Sequence, residues 1–330
     1  MAPIVHPFVE QQLREAVQDP RLADDCLERV FDYMARNPEF PRRAERGEAI
    51  AEQELGWWRD HTGGRSATFA RWLVPVVESS GPLAGRRVLD FGAGTGSSAV
   101  VFAAAGASVV AAEAEQISIR VGPRRAASLG VARRCSFVQV PYIDQRNGLR
   151  LPFADASFDV VALIGVLEHM YPAERTYCAR EIERVLAPSG RVVVDDTPNR
   201  WHPYDYHTTR LWFVGQMPVA WARRWAVLRG RIGRHEDFQR RGATGISRRA
   251  IEALFPPARF DLVYEKSDAD LVRDFGWLEH AVPTRNPRRA RAIGRFLAAS
   301  AAVGLRVLRP VGVRASRFVS LHTLVYRRRG

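Results

Sequence analysis

The chain has 330 residues, 46% of them apolar and 26% charged. That is length for two domains, or for one enlarged enzyme domain, and it excludes a disordered, collagenous or disulfide-scaffold protein. The longest nearly uninterrupted apolar run, 296–305, is too short to cross a bilayer, and the first thirty residues carry charges where a signal peptide needs an apolar core. A soluble, unprocessed, cytoplasmic chain is expected. Cys26, Cys135 and Cys178 share no CxxC spacing and read as buried free thiols. The net charge is +13, and Lys266 is the single lysine among 49 basic residues. Residues 201–330 hold 25 basic against 10 acidic side chains, so the excess belongs to that third of the chain and points to a polyanionic surface partner there.

Up to residue 80 the pattern is helical, with Leu22, Cys26, Val30 and Tyr33, then Phe69, Trp72, Leu73 and Val76, at helical spacing. The segment reads as an extension, or lid, ahead of a main domain over 81–330. From Gly81-Pro82 onward, short β-branched runs at 87–91, 108–112, 136–140, 158–164 and 191–195 alternate with helical stretches at 96–105, 115–129 and 173–187. Pro123 is expected to kink or restart the second of these helices, and Pro188-Ser-Gly190 to stop the third. Alternation of this kind predicts an α/β fold with a mostly parallel sheet covered by helices on both faces. A helix near 247–255, a strand near 259–265 and a last strand at 318–326 complete a seven-stranded sheet. Insertions are expected at 197–246 and 267–316.

Val88-Leu-Asp-Phe-Gly-Ala-Gly-Thr-Gly96 reads as a strand ending in Asp90, a glycine loop and a helix start. Glycines permit a tight turn and close approach of a ligand, and a helix N-terminus offers N–H groups to an anion. The spacing is GxGxG with Ser97 following, so it departs from the dinucleotide GxGxxG pattern. Glu113 stands seventeen residues beyond Gly96, at the end of the next apolar run. Leu151-Pro-Phe-Ala-Asp-Ala-Ser-Phe-Asp159, Val166-Leu-Glu-His169 and Glu181-Ile-Glu-Arg-Val-Leu-Ala-Pro-Ser-Gly190 follow in order. With these motifs the sequence resembles the class I S-adenosylmethionine-dependent methyltransferases over about residues 85–200. The resemblance implies a Rossmann-like methyltransferase fold and S-adenosyl-L-methionine as cofactor. It implies a cofactor site at Asp90, Gly92, Ala93, Gly94, Gly96, Glu113, Ile164 and Gly165. The carboxylate of the cofactor is expected on backbone N–H groups of 92–96 and its ribose on Glu113. One departure is plain: the third strand ends at Pro141 where the family places an acid near the adenine, and Tyr142 and Asp144 follow.

Methyl transfer from a sulfonium asks mainly for alignment and exclusion of water. An oxygen or nitrogen acceptor also needs a base, and His207, His169 and Asp205 are the candidates, beside His202 and Tyr206 in the loop after the fifth strand. His169 alternatively shapes the cofactor pocket, and His207 alternatively caps a helix. No metal is expected: His202, Asp205 and His207 lack helical register and a further ligand. Aromatic residues at 57, 58, 201, 204, 206, 212 and 213 suggest a small or lipid-linked apolar acceptor, or simply a core. A nicotinamide-dependent oxidoreductase and a catalytically silent binding protein are the alternative functions.

Two elements carry the C-terminal charge. Over 288–309, Arg288, Arg291, Arg295, Arg306 and Arg309 share one helical stripe, with Ile293, Phe296, Leu297, Val303, Val307 and Leu308 beside it. Over 218–229, Trp221, Trp225 and Leu228 share a face flanked by Arg223, Arg224 and Arg229. Both either pack on the sheet or on each other with their arginines facing water, or make peripheral contact with an anionic membrane; nucleic acid is the weaker rival.

Overall fold

The computed structural model describes residues 65–143, 148, 150–205, 207–266 and 319–330, with single helical positions between 289 and 307. The extension before residue 65, Asp144, Tyr206 and most of the 267–316 insertion lie outside the described residues. Two short helices, α1 (Arg65–Arg71) and α2 (Leu73–Glu78), precede β1 (Arg87–Phe91). Then come α3 (Ser97–Ala104), β2 (Ser108–Glu113), α4 (Gln116–Ser128), β3 (Cys135–Gln139), β4 (Phe158–Ile164), α5 (Pro172–Val185) and β5 (Leu186–Pro198). A two-stranded ribbon of β6 (Tyr204–Asp205) and β7 (Leu211–Trp212) leads to α6 (Val219–Leu228), α7 (Arg248–Leu254), β8 (Phe260–Glu265) and β9 (Leu321–Arg328). The main sheet has the order β3-β2-β1-β4-β5-β9-β8. β1, β2 and β3 pair in parallel, whereas β9 pairs antiparallel with both β5 and β8. The expected seven-stranded α/β sheet is the one found.

The chain divides into two compact units. The first takes in α1–α4, β1–β3, most of β4 and the start of β5; the second takes in the end of β4, most of α5, the rest of β5 and everything beyond it. In the first unit, Val88 and Leu89 of β1 and Ala111 and Ala112 of β2 are fully buried, as expected for strands covered on both faces. α3 is apolar nearly all round because seven of its residues, Ser97 to Ala103, are buried. The Leu151–Asp159 motif is a turn held by its neighbours: Arg184 donates to the carbonyls of Leu151 and Phe153, and Asp159 accepts from the Arg87 N–H at 2.8 Å.

Two expectations about helix ends need correction. Pro123 does not restart α4, which runs through it from Gln116 to Ser128. The residue before it is Gly122, which has no Cβ for the proline ring to strike, so the usual restriction on pre-proline backbone is relaxed. α5 ends at Val185, ahead of Pro188-Ser-Gly190, and those residues already belong to β5 with Ser189 at φ 59°.

In the second unit Ser247 caps α7 by accepting from the Ala250 N–H. β9 is buried from His322 to Tyr326, and Thr323 donates to Asp195 at 2.5 Å. Burial pushes His322 down to about 4, and its Nε2–H donates to the Ile246 carbonyl at 3.0 Å. Cys178 is buried and Cys135 half-buried; burial pushes their thiols up to about 12 and about 11, as inert core groups.

Gly122 also leaves room for Phe137 of β3, since a Cβ there would lie 2.1 Å from the ring. Gly122→Ala should lower stability by about 1–3 kcal/mol through overpacking, although helix propensity alone favours alanine by about 1 kcal/mol. In a Phe137→Leu background the same change should cost less, as read from chemical denaturation. Equal costs in both backgrounds would show that the ring does not set the requirement.

Candidate active site

The first unit carries the glycine loop at the carboxyl end of β1. Gly92, Gly94 and Gly96 have φ of 73°, 53° and 79°, the left-handed region that glycine enters without strain. Their N–H groups, expected from the sequence to meet a cofactor carboxylate, have acceptors inside the protein. Gly92 and Ala93 donate to the Ala112 carbonyl, Gly96 to Ala93, and Gly94 to Glu113 Oε2 at 2.7 Å. The sequence shows that glycines permit a turn but not which acceptors the turn selects. The space beside Gly94 is open: a Cβ there would meet nothing within 4 Å. Glu113 Oε1 also accepts from the Ala114 and Glu115 N–H groups at 2.7 and 3.0 Å. Three donors therefore fix this carboxylate, and two oxygens with about four acceptor sites retain capacity for a ligand hydroxyl.

Asp90 is buried at the end of β1, where Ser98 of α3 donates to its Oδ2 at 2.6 Å. Burial pushes its carboxyl up to about 7; the Ser98 bond opposes that and the Glu113 charge reinforces it. Beneath the loop, buried Arg125 of α4 donates to the hydroxyls of Thr95 and Ser97. Sequence reading missed Arg125, because an arginine in an amphipathic helix ordinarily faces water. At the edge of the sheet Gln139, not Pro141, stands level with Glu113, and Tyr142 is exposed.

The second unit holds the remaining predicted site residues. Ile164 is buried, and Gly165, at φ 65°, donates its N–H to the Asp195 carbonyl at 2.9 Å. Leu167–His169 form a single 3-10 turn that brings Glu168 into full burial. Its Oε1 lies 3.8 Å from Nε2 of His169 and 3.8 Å from Nε2 of His207. Hydrogen bonds assign both ring tautomers. His169 Nδ1 lies 2.7 Å from the Arg240 carbonyl, which only accepts, so that nitrogen carries the hydrogen. His207 Nδ1 lies 2.8 Å from Thr208 Oγ1, whose own hydrogen goes to the Arg241 carbonyl, so here too Nδ1 donates. Asp205, a candidate base by sequence, also shapes its loop: its oxygens accept from the N–H groups of His207, Thr208 and Thr209 and from the Thr209 hydroxyl. His202 faces the Tyr204 carbonyl.

Sequence reading also missed the segment 239–242. Gln239 Nε2 donates to the carbonyls of Glu168 and Met170, Arg240 and Arg241 supply the two carbonyls just named, and Gly242 is the floor. A Cβ at Gly242 would lie 3.0 Å from Glu168 Cγ and 3.2 Å from Cε1 of each imidazole. The Arg240 guanidinium also forms a two-pronged pair with buried Glu174 at 2.6 and 2.7 Å. Nothing in the local sequence announces a partnership across about seventy residues.

A pH dependence follows for Asp90. The folded chain keeps its proton up to about 7, whereas the unfolded chain releases it near 3.9, so this group favours the fold below about 4 and that advantage is lost as pH rises through 7. Asp90→Asn, neutral throughout, should gain stability over the native chain between pH 4 and 8, by at most about 4 kcal/mol. Denaturation curves across that range check it; a difference independent of pH would contradict a buried, protonated Asp90.

A methyltransferase-domain family profile matches residues 89–194. The demethylmenaquinone methyltransferase of Clavibacter sepedonicus is 38% identical over 123 residues, 37% of this chain and 46% of that protein. The ubiquinone/menaquinone biosynthesis C-methyltransferase UbiE of Pseudomonas putida is 34% identical over 126 residues, 37% and 46% of the two chains. The chain spans about half the length of the curated relatives it matches. Among solved structures, the PH0226 protein from Pyrococcus horikoshii OT3 matches with a TM-score of 0.44 and 16% identity over 80% of this chain and 91% of that one. Over residues 89–194 the chain is thus similar to methyltransferase domains.

Proposed function

We propose that the chain transfers the methyl group of S-adenosylmethionine to a small, lipid-like acceptor. The observation that carries the cofactor reading is the left-handed glycine loop, open beside Gly94 and joined by that residue to Glu113. Glu113 would hold the ribose hydroxyls, and Gly92–Gly96 with Asp90 would shape the bed for the methionine portion. Ile164 and Gly165 stand at the carboxyl end of β4, the end of a strand at which open α/β sheets ordinarily bind ligands. The bound cofactor supplies an activated methyl group; the protein's part is to align it and exclude water.

The acceptor class is drawn from the quinone-related names of the relatives above and from the apolar surface of the second unit. Oxygen or nitrogen, the atoms read from the sequence, and the carbon in the name of the Pseudomonas putida relative make the same demand. Each needs a group to take the proton that the methyl replaces. His207 and His169, each with Nδ1 committed to another acceptor and Nε2 beside Glu168, are the acceptor-side groups.

Calorimetry tests the cofactor reading. S-adenosylmethionine and its demethylated product should bind, nicotinamide dinucleotides should not, and Glu113→Ala should weaken binding by about 1–3 kcal/mol. Unchanged affinity in that variant would remove Glu113 from the site.

A lipid-like acceptor needs a route from the bilayer, and α6 supports one. The helix buries its small residues, Ala222 and Ala226, and leaves Trp221 75% and Leu228 76% exposed beside Trp225 and Val219. Arg223, Arg224 and Arg229 flank them, and the Arg229 guanidinium stacks over Trp225 at 5.3 Å. Ile293, Phe296, Val303 and Val307 are exposed at helical spacing further on, whereas Arg288, Arg291, Arg295, Arg306 and Arg309 lie outside the described residues. No described helix is long and apolar enough to span a membrane, so the attachment proposed is peripheral. The chain should float with phosphatidylglycerol vesicles at low salt, release as salt rises, and lose binding in Trp221→Ala/Leu228→Ala. Failure to float with anionic vesicles at low salt would leave a water-soluble acceptor as the reading.

A further inference from the structure

The Glu168 cluster has a geometry that general-base chemistry leaves unexplained. In a carboxylate–imidazole pair built for proton transfer, the carboxylate accepts from one ring N–H and the other nitrogen does the work. Here both ring N–H groups are given to other acceptors, and the remaining nitrogen of each ring stands beside the same carboxylate oxygen. Two imidazole lone pairs and a carboxylate oxygen, all within 4.8 Å of one another, form an electron-rich focus. At 3.8 Å neither imidazole is within hydrogen-bond distance of Oε1. A cation between them accounts for the arrangement. Donors bound at 2.0–2.1 Å in a tetrahedron stand about 3.4 Å apart, so small side-chain movements close this set around an ion.

We propose that Glu168, His169 and His207 hold a divalent transition-metal cation, leaving at least one coordination position open. The donor set, two imidazole nitrogens and one carboxylate, suits zinc, iron(II), cobalt(II) or manganese(II) and not calcium. Its support has the form expected around a metal: each ligating imidazole donates its distal N–H, one to a backbone carbonyl and the other to a hydroxyl fixed by a carbonyl. Gly242 is a second, independent observation. It is the point where all three ligands pack, at φ 72°, and a methyl group there would press on each of them. Four consecutive residues, Gln239 to Gly242, thus orient three side chains contributed by two distant loops. The open position would take an oxygen or nitrogen of the acceptor and lower its pKa, so that its proton passes to solvent water and the acceptor atom's freed electron pair forms the bond to the methyl group as the sulfonium bond breaks. That use rests on the methyltransferase reading, whereas the existence of the site does not. With the cation bound, Nε2 of His169 and of His207 serves as a ligand in place of the general-base role proposed above, and the sequence expectation of no metal gives way to this proposal.

The test uses the full chain, stripped with a chelator and titrated with Co²⁺, followed by the visible absorption of the coordinated ion. One equivalent should bind per chain, be displaced by Zn²⁺, and bind at least tenfold more weakly in His169→Gln and in His207→Gln. Thr208→Val, which removes the acceptor for His207 together with the bond from that hydroxyl to the Arg241 carbonyl and leaves all three ligands in place, should weaken binding by roughly 10–100-fold. His235→Gln, an exposed histidine away from the cluster, should leave binding unchanged. Circular dichroism identifies any variant that fails to fold, and Thr208→Val then carries the test. No Co²⁺ spectrum at millimolar ion, or equal affinity in the native chain and the folded cluster variants, would overturn the proposal. Loss of S-adenosylmethionine binding alone would count against the methyltransferase reading and leave the metal site standing.

Discussion

The burial of a carboxyl group at the end of β1 is the constraint on which the glycine-loop unit turns. Asp90 is sealed under α3 with the Ser98 hydroxyl on one oxygen, and burial lifts it to about 7. An acid placed there weakens the fold at neutral pH compared with an isosteric neutral residue. The protein carries that cost where β1 gives way to the three left-handed glycines, and Glu113, on the neighbouring strand, adds a second charge. Sites commonly break the local rules that the rest of a fold obeys, and this loop breaks them in burial, charge and backbone conformation together.

In the second unit a different constraint operates. Glu168 and His169 follow β4 and His207 follows the ribbon strand β6; Thr208 holds His207 within its own loop, but neither loop by itself fixes His169 or that Thr208 hydroxyl. The segment Gln239–Gly242 does so through backbone carbonyls and an absent side chain, and Arg240 clamps that segment to Glu174. Orientation by carbonyls is insensitive to which side chains stand at 240 and 241. Gly242 is the position where identity matters, because no other residue combines φ 72° with an empty Cβ position.

The strands and the glycine loop were legible because their signals are local. A β-branched run, three glycines in five residues and an acid at the end of the next run each declare themselves within a dozen positions. Helix ends were less legible: Pro123 reads as a break until Gly122 is seen to relieve it, and Val185 ends α5 without a breaker of its own. The loop's N–H acceptors, buried Arg125 and the Glu168 cluster were hidden for another reason. Each depends on pairing between residues tens of positions apart, such as Arg125 with Thr95 and His169 with Arg240. His169 and His207 were individually visible as titratable groups, but not their shared carboxylate. The outward face of α6 illustrates the limit from the other side, since periodicity separates Trp221 and Trp225 from Ala222 and Ala226 but does not say which face enters the core.

The most direct measurement of the central claim is the amide spectrum of isotope-labelled protein titrated with the demethylated cofactor, S-adenosylhomocysteine. The N–H groups of Gly94, Ala114 and Glu115 all rest on the Glu113 carboxylate. A ribose arriving at that carboxylate should shift the three signals together, at one affinity, with the signals of Gly92 and Gly96 moving alongside. Saturating ligand that leaves Gly94, Ala114 and Glu115 unmoved would contradict the assignment of the glycine loop and Glu113 as the cofactor site.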